Sequence, residues 1–83
     1  MIYGFVQGVG FRFSVARAAR SRDVSGWVRN RTDGAVEAVF EGAPEDVEAL
    51  VEFCRRGPRG AEVERVEVEE DSAEGLTDFR VAG

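Results

Sequence analysis

The apolar positions change period several times along the chain, and each change predicts an element. Ile2 to Val6 is a nearly continuous apolar run of strand length, and Gln7 to Gly10 follows it as a glycine-rich loop. From Phe11 to Ser21 the period becomes helical, with Phe11, Val15, Ala18 and Ala19 on one side and Arg17, Arg20 and Arg22 crowding the C-terminal end. Val24 to Arg31 alternates as a strand: Val24, Gly26, Val28 and Asn30 point to one face, Ser25, Trp27 and Arg29 to the other. Thr32-Asp33-Gly34 is a hairpin turn, and Ala35 to Glu41 is the returning strand, with Val36, Ala38 and Phe40 on one face.

A second helix opens at Gly42-Ala43-Pro44, where Pro suits the first helical position, and stops at Gly57-Pro58. Its acidic start (Glu45, Asp46, Glu48) and basic end (Arg55, Arg56) complement the helix dipole. Val47, Leu50, Val51 and Cys54 form its buried stripe. A strand from Glu62 to Glu70 follows; Val63 and Val66 break strict alternation, which predicts a bulge or a late strand start. Glu67, Glu69, Glu70 and Asp71 read as a solvated acidic edge rather than a metal site, because no histidine stands with them. Gly75-Leu76 leads to a last short strand at Phe79 to Val81. The order β-α-β-β-α-β predicts an α+β sandwich, an antiparallel sheet with both helices on one face and an extra short C-terminal strand.

Eighty-three residues make one domain, 1–83, near the lower limit for a core without disulfide or metal. No apolar run reaches membrane-spanning length, and the only cysteine is Cys54; both fit a cytoplasmic chain. The net charge of −5 argues against a nucleic-acid partner. All eleven basic residues are arginines, and histidine and lysine are absent. A Ser-His or Cys-His nucleophile, a zinc set and a Walker-type loop are therefore excluded.

Between the first strand and the first helix, Gly4, Gly8 and Gly10 lie within seven residues. Glycines let a loop turn its N–H groups inward, and the helix start beyond adds unpaired N–H groups and the positive end of a dipole. The N–H groups of Gln7, Gly8, Val9, Gly10, Phe11 and Arg12 could hold a small anion. Arg12 sits at the wrong end of the dipole, at a cost of up to about 1 kcal/mol. An anion between the N–H groups and its forked guanidinium would reverse that cost. The local physics leaves a structural glycine turn beside a surface arginine as an equal alternative.

Two spaced motifs then carry a resemblance. Gly4-Phe5-Val6-Gln7-Gly8-Val9-Gly10-Phe11-Arg12, followed by Gly26-Trp27-Val28-Arg29-Asn30, resembles the signature of the acylphosphatases, and Asp33-Gly34 and Glu41-Gly42 fall where that family has similar residues. The resemblance implies a ferredoxin-like fold with Asn30 at a strand end beside the glycine loop. It implies hydrolysis of small acyl phosphates without cofactor or metal, the loop binding phosphate, Arg12 clamping it and Asn30 orienting the attacking water. The chemistry suits a chain lacking a strong base. The leaving carboxylate has a conjugate acid of pKa roughly 4 and departs unprotonated, so positioning and charge neutralisation suffice. The partners implied are an acyl phosphate and inorganic phosphate, and the expected state is a monomer.

The resemblance also carries an alternative, because such domains occur inside larger hydrogenase-maturation proteins that handle carbamoyl phosphate; there the domain binds without independent turnover. A third reading, an RNA-binding module stacking bases on Tyr3, Phe5 and Trp27, conflicts with the acidic charge. Only Met1, Ile2 and Tyr3 precede Gly4, whereas family members have several more residues of first strand. That strand is central in the expected fold. A short one removes ladder hydrogen bonds and opens neighbouring edges, which invites strand exchange.

Overall fold

The computed structural model describes residues 1–70 and 73–83. Asp71, the last of the acidic-edge residues named above, lies outside the described residues. The elements are β1 (Ile2–Phe5), α1 (Phe11–Ser21), β2 (Ser25–Asn30), β3 (Val36–Glu41), α2 (Pro44–Arg56), β4 (Glu62–Val66) and β5 (Phe79–Ala82). They form one five-stranded sheet in the order β4-β1-β3-β2-β5.

Four strands are antiparallel to their neighbours, as the pattern predicts, while β5 runs parallel to β2 from Gly26–Phe79 to Arg29–Ala82. The sheet is therefore mixed. The strand ends fall within one or two residues of the sequence expectation except in β4, which stops at Val66 rather than Glu70. Its ladder with β1 runs from Phe5–Glu62 to Ile2–Val66, and beyond it Glu67 exchanges main-chain bonds with Met1 at 2.9 and 3.0 Å. The predicted bulge is present: between Tyr3–Arg65 and Gly4–Val63 the register shifts by one residue on β4.

The helix-facing side of the sheet supplies Ile2, Val28, Val36 and Phe79 to the core, which Phe11, Val15, Ala16 and Ala19 of α1 and Leu50 and Cys54 of α2 complete. The buried face of α1 runs through Ala16 rather than Ala18, which lies half-exposed toward α2. Val47 and Val51 were expected in the buried stripe of α2 and are only half-buried. They line a groove beside the start of β1, where β1 meets β3 at the single pair Ile2–Val36. Burial pushes the Cys54 thiol up to about 12, so it is a small core hydrophobe and not a nucleophile.

Candidate functional site

Local physics shapes the loop between β1 and α1. Gly8 (φ 79°) and Gly10 (φ 74°) both take the left-handed conformation, which a side chain would strain. A carbon built at either position meets nothing within 4 Å, so open space lies over the loop. Gly10 is the N-cap of α1, makes no side-chain capping bond, and is followed by a first turn without an acidic residue. Among the described residues, none of the main-chain bonds that tie loops and caps uses an N–H between Gly8 and Phe13; the first is Ser14 N–H to the Gly10 oxygen at 3.0 Å. The helix start thus presents its donors and dipole without a side-chain cap or an acidic residue in its first turn.

Arg12, in that first turn, bonds to a residue 71 positions away in the sequence. Its Nη1 donates to the main-chain oxygen of Gly83 at 2.6 Å, and its guanidinium lies 5.9 Å from the Phe13 ring centre. Gly83 follows β5, which is paired to β2, the strand that Asn30 ends. A carbon built on Gly83 would stand 3.8 Å from the Asn30 main-chain oxygen and 3.5 Å from Cβ of Arg29. Gly83 is the common neighbour of Arg12 and Asn30, and nothing in the local sequence signals it. The Asn30 side chain is half-buried and makes no hydrogen bond among the described residues, so its amide is available to a ligand or a water.

Gln7 has a different task from the rest of the loop. Its Nε2 donates to the Arg31 oxygen at 2.7 Å and to the Ala35 oxygen at 3.0 Å. Those carbonyls sit on either side of the β2–β3 turn, whose own closing bond runs from Arg31 N–H to Ala35 O. The side chain therefore latches the glycine loop to the hairpin that carries Asn30. Its main-chain N–H, the part of Gln7 expected to meet a ligand, makes none of the main-chain bonds that tie loops and caps among the described residues. Replacing Gln7 with alanine should cost about 1–2 kcal/mol, lowering Tm by roughly 5–15 °C. An unchanged Tm together with weaker phosphate binding would assign the amide to the ligand instead.

The hairpin is braced by charge. Glu37 accepts from Arg29 (2.7 Å) and Arg31 (3.3 Å), and Arg31 also meets Asp33 at 3.3 Å. The Ala35 N–H holds the Asp33 carboxyl below its usual range, and the Arg29 guanidinium does the same for Glu37. Ser14 lines a shallow groove with Ala18, Phe53 and Pro58. Trp27 is on the open face of the sheet, 5.3 Å from the Arg29 guanidinium carbon. No group of three or more His, Cys, Asp or Glu among the described residues could hold a metal ion, and no helix among them is long and apolar enough to cross a membrane.

Comparison with known proteins bears on this geometry. A family model described as Acylphosphatase matches residues 1–81. The chain is 58% identical over 82 residues to an acylphosphatase of Thermococcus kodakarensis, covering 99% of this chain and 90% of that one. Its fold superposes on the structure of an acylphosphatase from Coxiella burnetii with a TM-score of 0.94 at 41% identity, covering 98% of this chain and 85% of that one. It also superposes on full-length HypF in its phosphate- and nucleotide-bound form, with a TM-score of 0.87 at 28% identity; there it covers 99% of this chain but 11% of the larger one. With the family matched over nearly its whole length, the chain belongs to the acylphosphatase family.

Proposed function

We propose that the chain hydrolyses small acyl phosphates to a carboxylate and inorganic phosphate at the site between the glycine loop, Arg12 and Asn30. The observation that carries this reading is the meeting of three parts around Gly83: an uncapped helix start, a guanidinium beside it, and a free amide at the end of β2. The N–H groups of Gln7 to Arg12 bind the phosphoryl oxygens, and Arg12 spreads the transferred charge over its fork. The Asn30 amide oxygen accepts from a water and aims it in line with the P–O bond to the acyl group. The water oxygen bonds to phosphorus as that P–O bond breaks, and its electron pair leaves on the carboxylate. The water's proton passes to a phosphate oxygen, so the protein needs no base.

Hydrolysis of benzoyl phosphate by the folded chain, with a chelator present, tests the reading; a folded chain that binds phosphate without turnover would defeat it. Asn30→Ala should lower kcat by about 10²-fold or more with KM changed far less. Weaker phosphate binding at unchanged kcat would remove the water-positioning role.

On this reading the partners are an acyl phosphate and inorganic phosphate, without cofactor, nucleic acid or lipid, and the working form is a monomer in a reducing cytoplasm. The charge of −5 and the single, buried Cys54 support it. The match to one-tenth of a larger protein favours a second reading, a phosphate- or carbamoyl-phosphate-binding domain of a longer chain without its own turnover. The same assay separates the two.

A further inference from the structure

Among the described residues, Phe13 is the most exposed of the large apolar side chains, at 67%. A lone exposed phenylalanine is ordinary on a protein surface, and what singles this one out is its neighbour. Phe13 stands in the first turn of α1, about 200° around the helix from Phe11. It belongs neither to the core nor to the half-buried side chains packed on it. Its ring centre is 5.9 Å from the guanidinium carbon of Arg12, the group that clamps the phosphoryl oxygens in the proposed reaction. A guanidinium within about 6 Å of a ring centre is attracted to its face. The helix itself does not ask for the ring, since alanine there has the higher helical propensity.

The geometry of the reaction gives the ring a use. A water held by Asn30 attacks phosphorus in line, so the acyl group departs from the opposite side. The loop offers that group no enclosure, because open space lies over Gly8 and Gly10. The loop N–H groups and the Arg12 fork are polar and suit only the phosphoryl oxygens. The apolar surface beside them is the Phe13 ring. Phe5 is also exposed, at 60%, but it ends β1, where it pairs with Glu62 of β4, whereas α1 packs on β2 and β5.

We infer that Phe13 is a specificity-determining residue for the acyl group, favouring acyl phosphates with a planar, apolar acyl portion over those with a small one. The inference rests on the hydrolytic reading of the site. The acyl ring lies against the Phe13 ring, offset or edge to face, while Arg12 holds the phosphoryl group beside it. Phe13 touches no reacting atom. Its contact with the body of the acyl group is the same before and during P–O cleavage, so it acts on KM and leaves kcat nearly unchanged.

The test compares kcat/KM for benzoyl phosphate and for acetyl phosphate in the 83-residue chain and in Phe13→Ala. The substitution should lower the benzoyl-to-acetyl ratio about three- to tenfold, through a higher KM for benzoyl phosphate. Acetyl phosphate kinetics and inhibition by inorganic phosphate should hold. Tm should move by no more than about 4 °C, and Phe13→Tyr should restore the parent ratio. Equal losses for both substrates would overturn the proposal, since the ring would then only order Arg12. So would an unchanged ratio, or a ratio that falls as far in Phe5→Ala. Dissociation constants of the non-hydrolysable benzoylphosphonate and acetylphosphonate make the same comparison without turnover. Binding of both analogues without turnover of either substrate would defeat the hydrolytic reading, and the ratio of the two constants would still decide the role of Phe13.

Discussion

Replacing Arg12 with alanine should lower kcat/KM for benzoyl phosphate by about 10³-fold or more, with Tm shifted by no more than about 5 °C. The asymmetry follows from where the side chain sits. Arg12 is half-exposed, and its one bond within the fold is to the Gly83 oxygen at the surface. Losing that bond costs about 1 kcal/mol. In the proposed reaction the guanidinium faces the phosphoryl group in a first helical turn that has no other charged side chain. Removing it deletes a cation where negative charge is densest, and no neighbouring lysine or histidine can substitute. Arg12→Lys keeps the charge but loses the fork, so it should recover only part of the rate. Inorganic phosphate binding measured beside the kinetics completes the test. Activity within tenfold of the parent in Arg12→Ala would show that the N–H groups of the loop act alone.

Gly26→Ala should be the most damaging small substitution in the chain. Gly26 lies inside β2 at φ +143°, a conformation that L side chains rarely adopt. A carbon built there overlaps the Val39 main-chain oxygen and approaches Cε2 of Phe79 to 3.2 Å. Gly26 also separates two aromatic residues. Phe40 and Phe79 flank it on β3 and β5, strands whose axes are about 9.5 Å apart, yet their ring centres are 5.8 Å apart and nearly parallel. The rings lean together over the position that has no side chain.

Strain and overlap together should cost about 3 kcal/mol or more. A domain of this length has a total stability of about 4–12 kcal/mol. Thermal unfolding should therefore show Tm lowered by roughly 12–24 °C, or no cooperative transition at all. Gly34→Ala is the control: its φ is +93°, but open space surrounds it, so only backbone strain of about 1 kcal/mol applies. Equal losses at the two positions would mean that dihedral strain alone, and not the approach of Val39 and Phe79, explains the glycine in β2.

Helical periods and end signals in the sequence were enough to place both helices. Phe11 to Ser21 ends with its arginines, and Pro44 to Arg56 is framed by Pro44 and Gly57. The strand order and the parallel pairing of β5 with β2 were not legible, because period-two patterning tells which face a residue takes and not which neighbour it pairs with. The end of β4 was missed for a related reason. Glu62 to Glu70 has strand-like composition throughout, but the ladder with β1 runs only from Phe5–Glu62 to Ile2–Val66, and which residues find a partner is decided by the fold. Val47 and Val51 were misplaced because helical period gives the face of α2 and not how far the sheet beneath it extends.

At the site, the sequence alone supplied the parts of the proposed chemistry. Glycines at 8 and 10 suit left-handed turns and Arg12 stands in an acid-free first turn, a combination that local physics alone left open between an anion site and a structural turn beside a surface arginine. The tertiary structure decided how the parts meet. Arg12 and Gly83 are 71 residues apart, and Gln7 is 24 and 28 residues from the carbonyls it binds. No local propensity encodes such contacts. They arise because packing both helices on one face of the sheet brings the start of α1, the end of β2 and the end of β5 to one edge of the molecule. Once that packing is set, the latch of Gln7 and the reach of Arg12 follow from geometry.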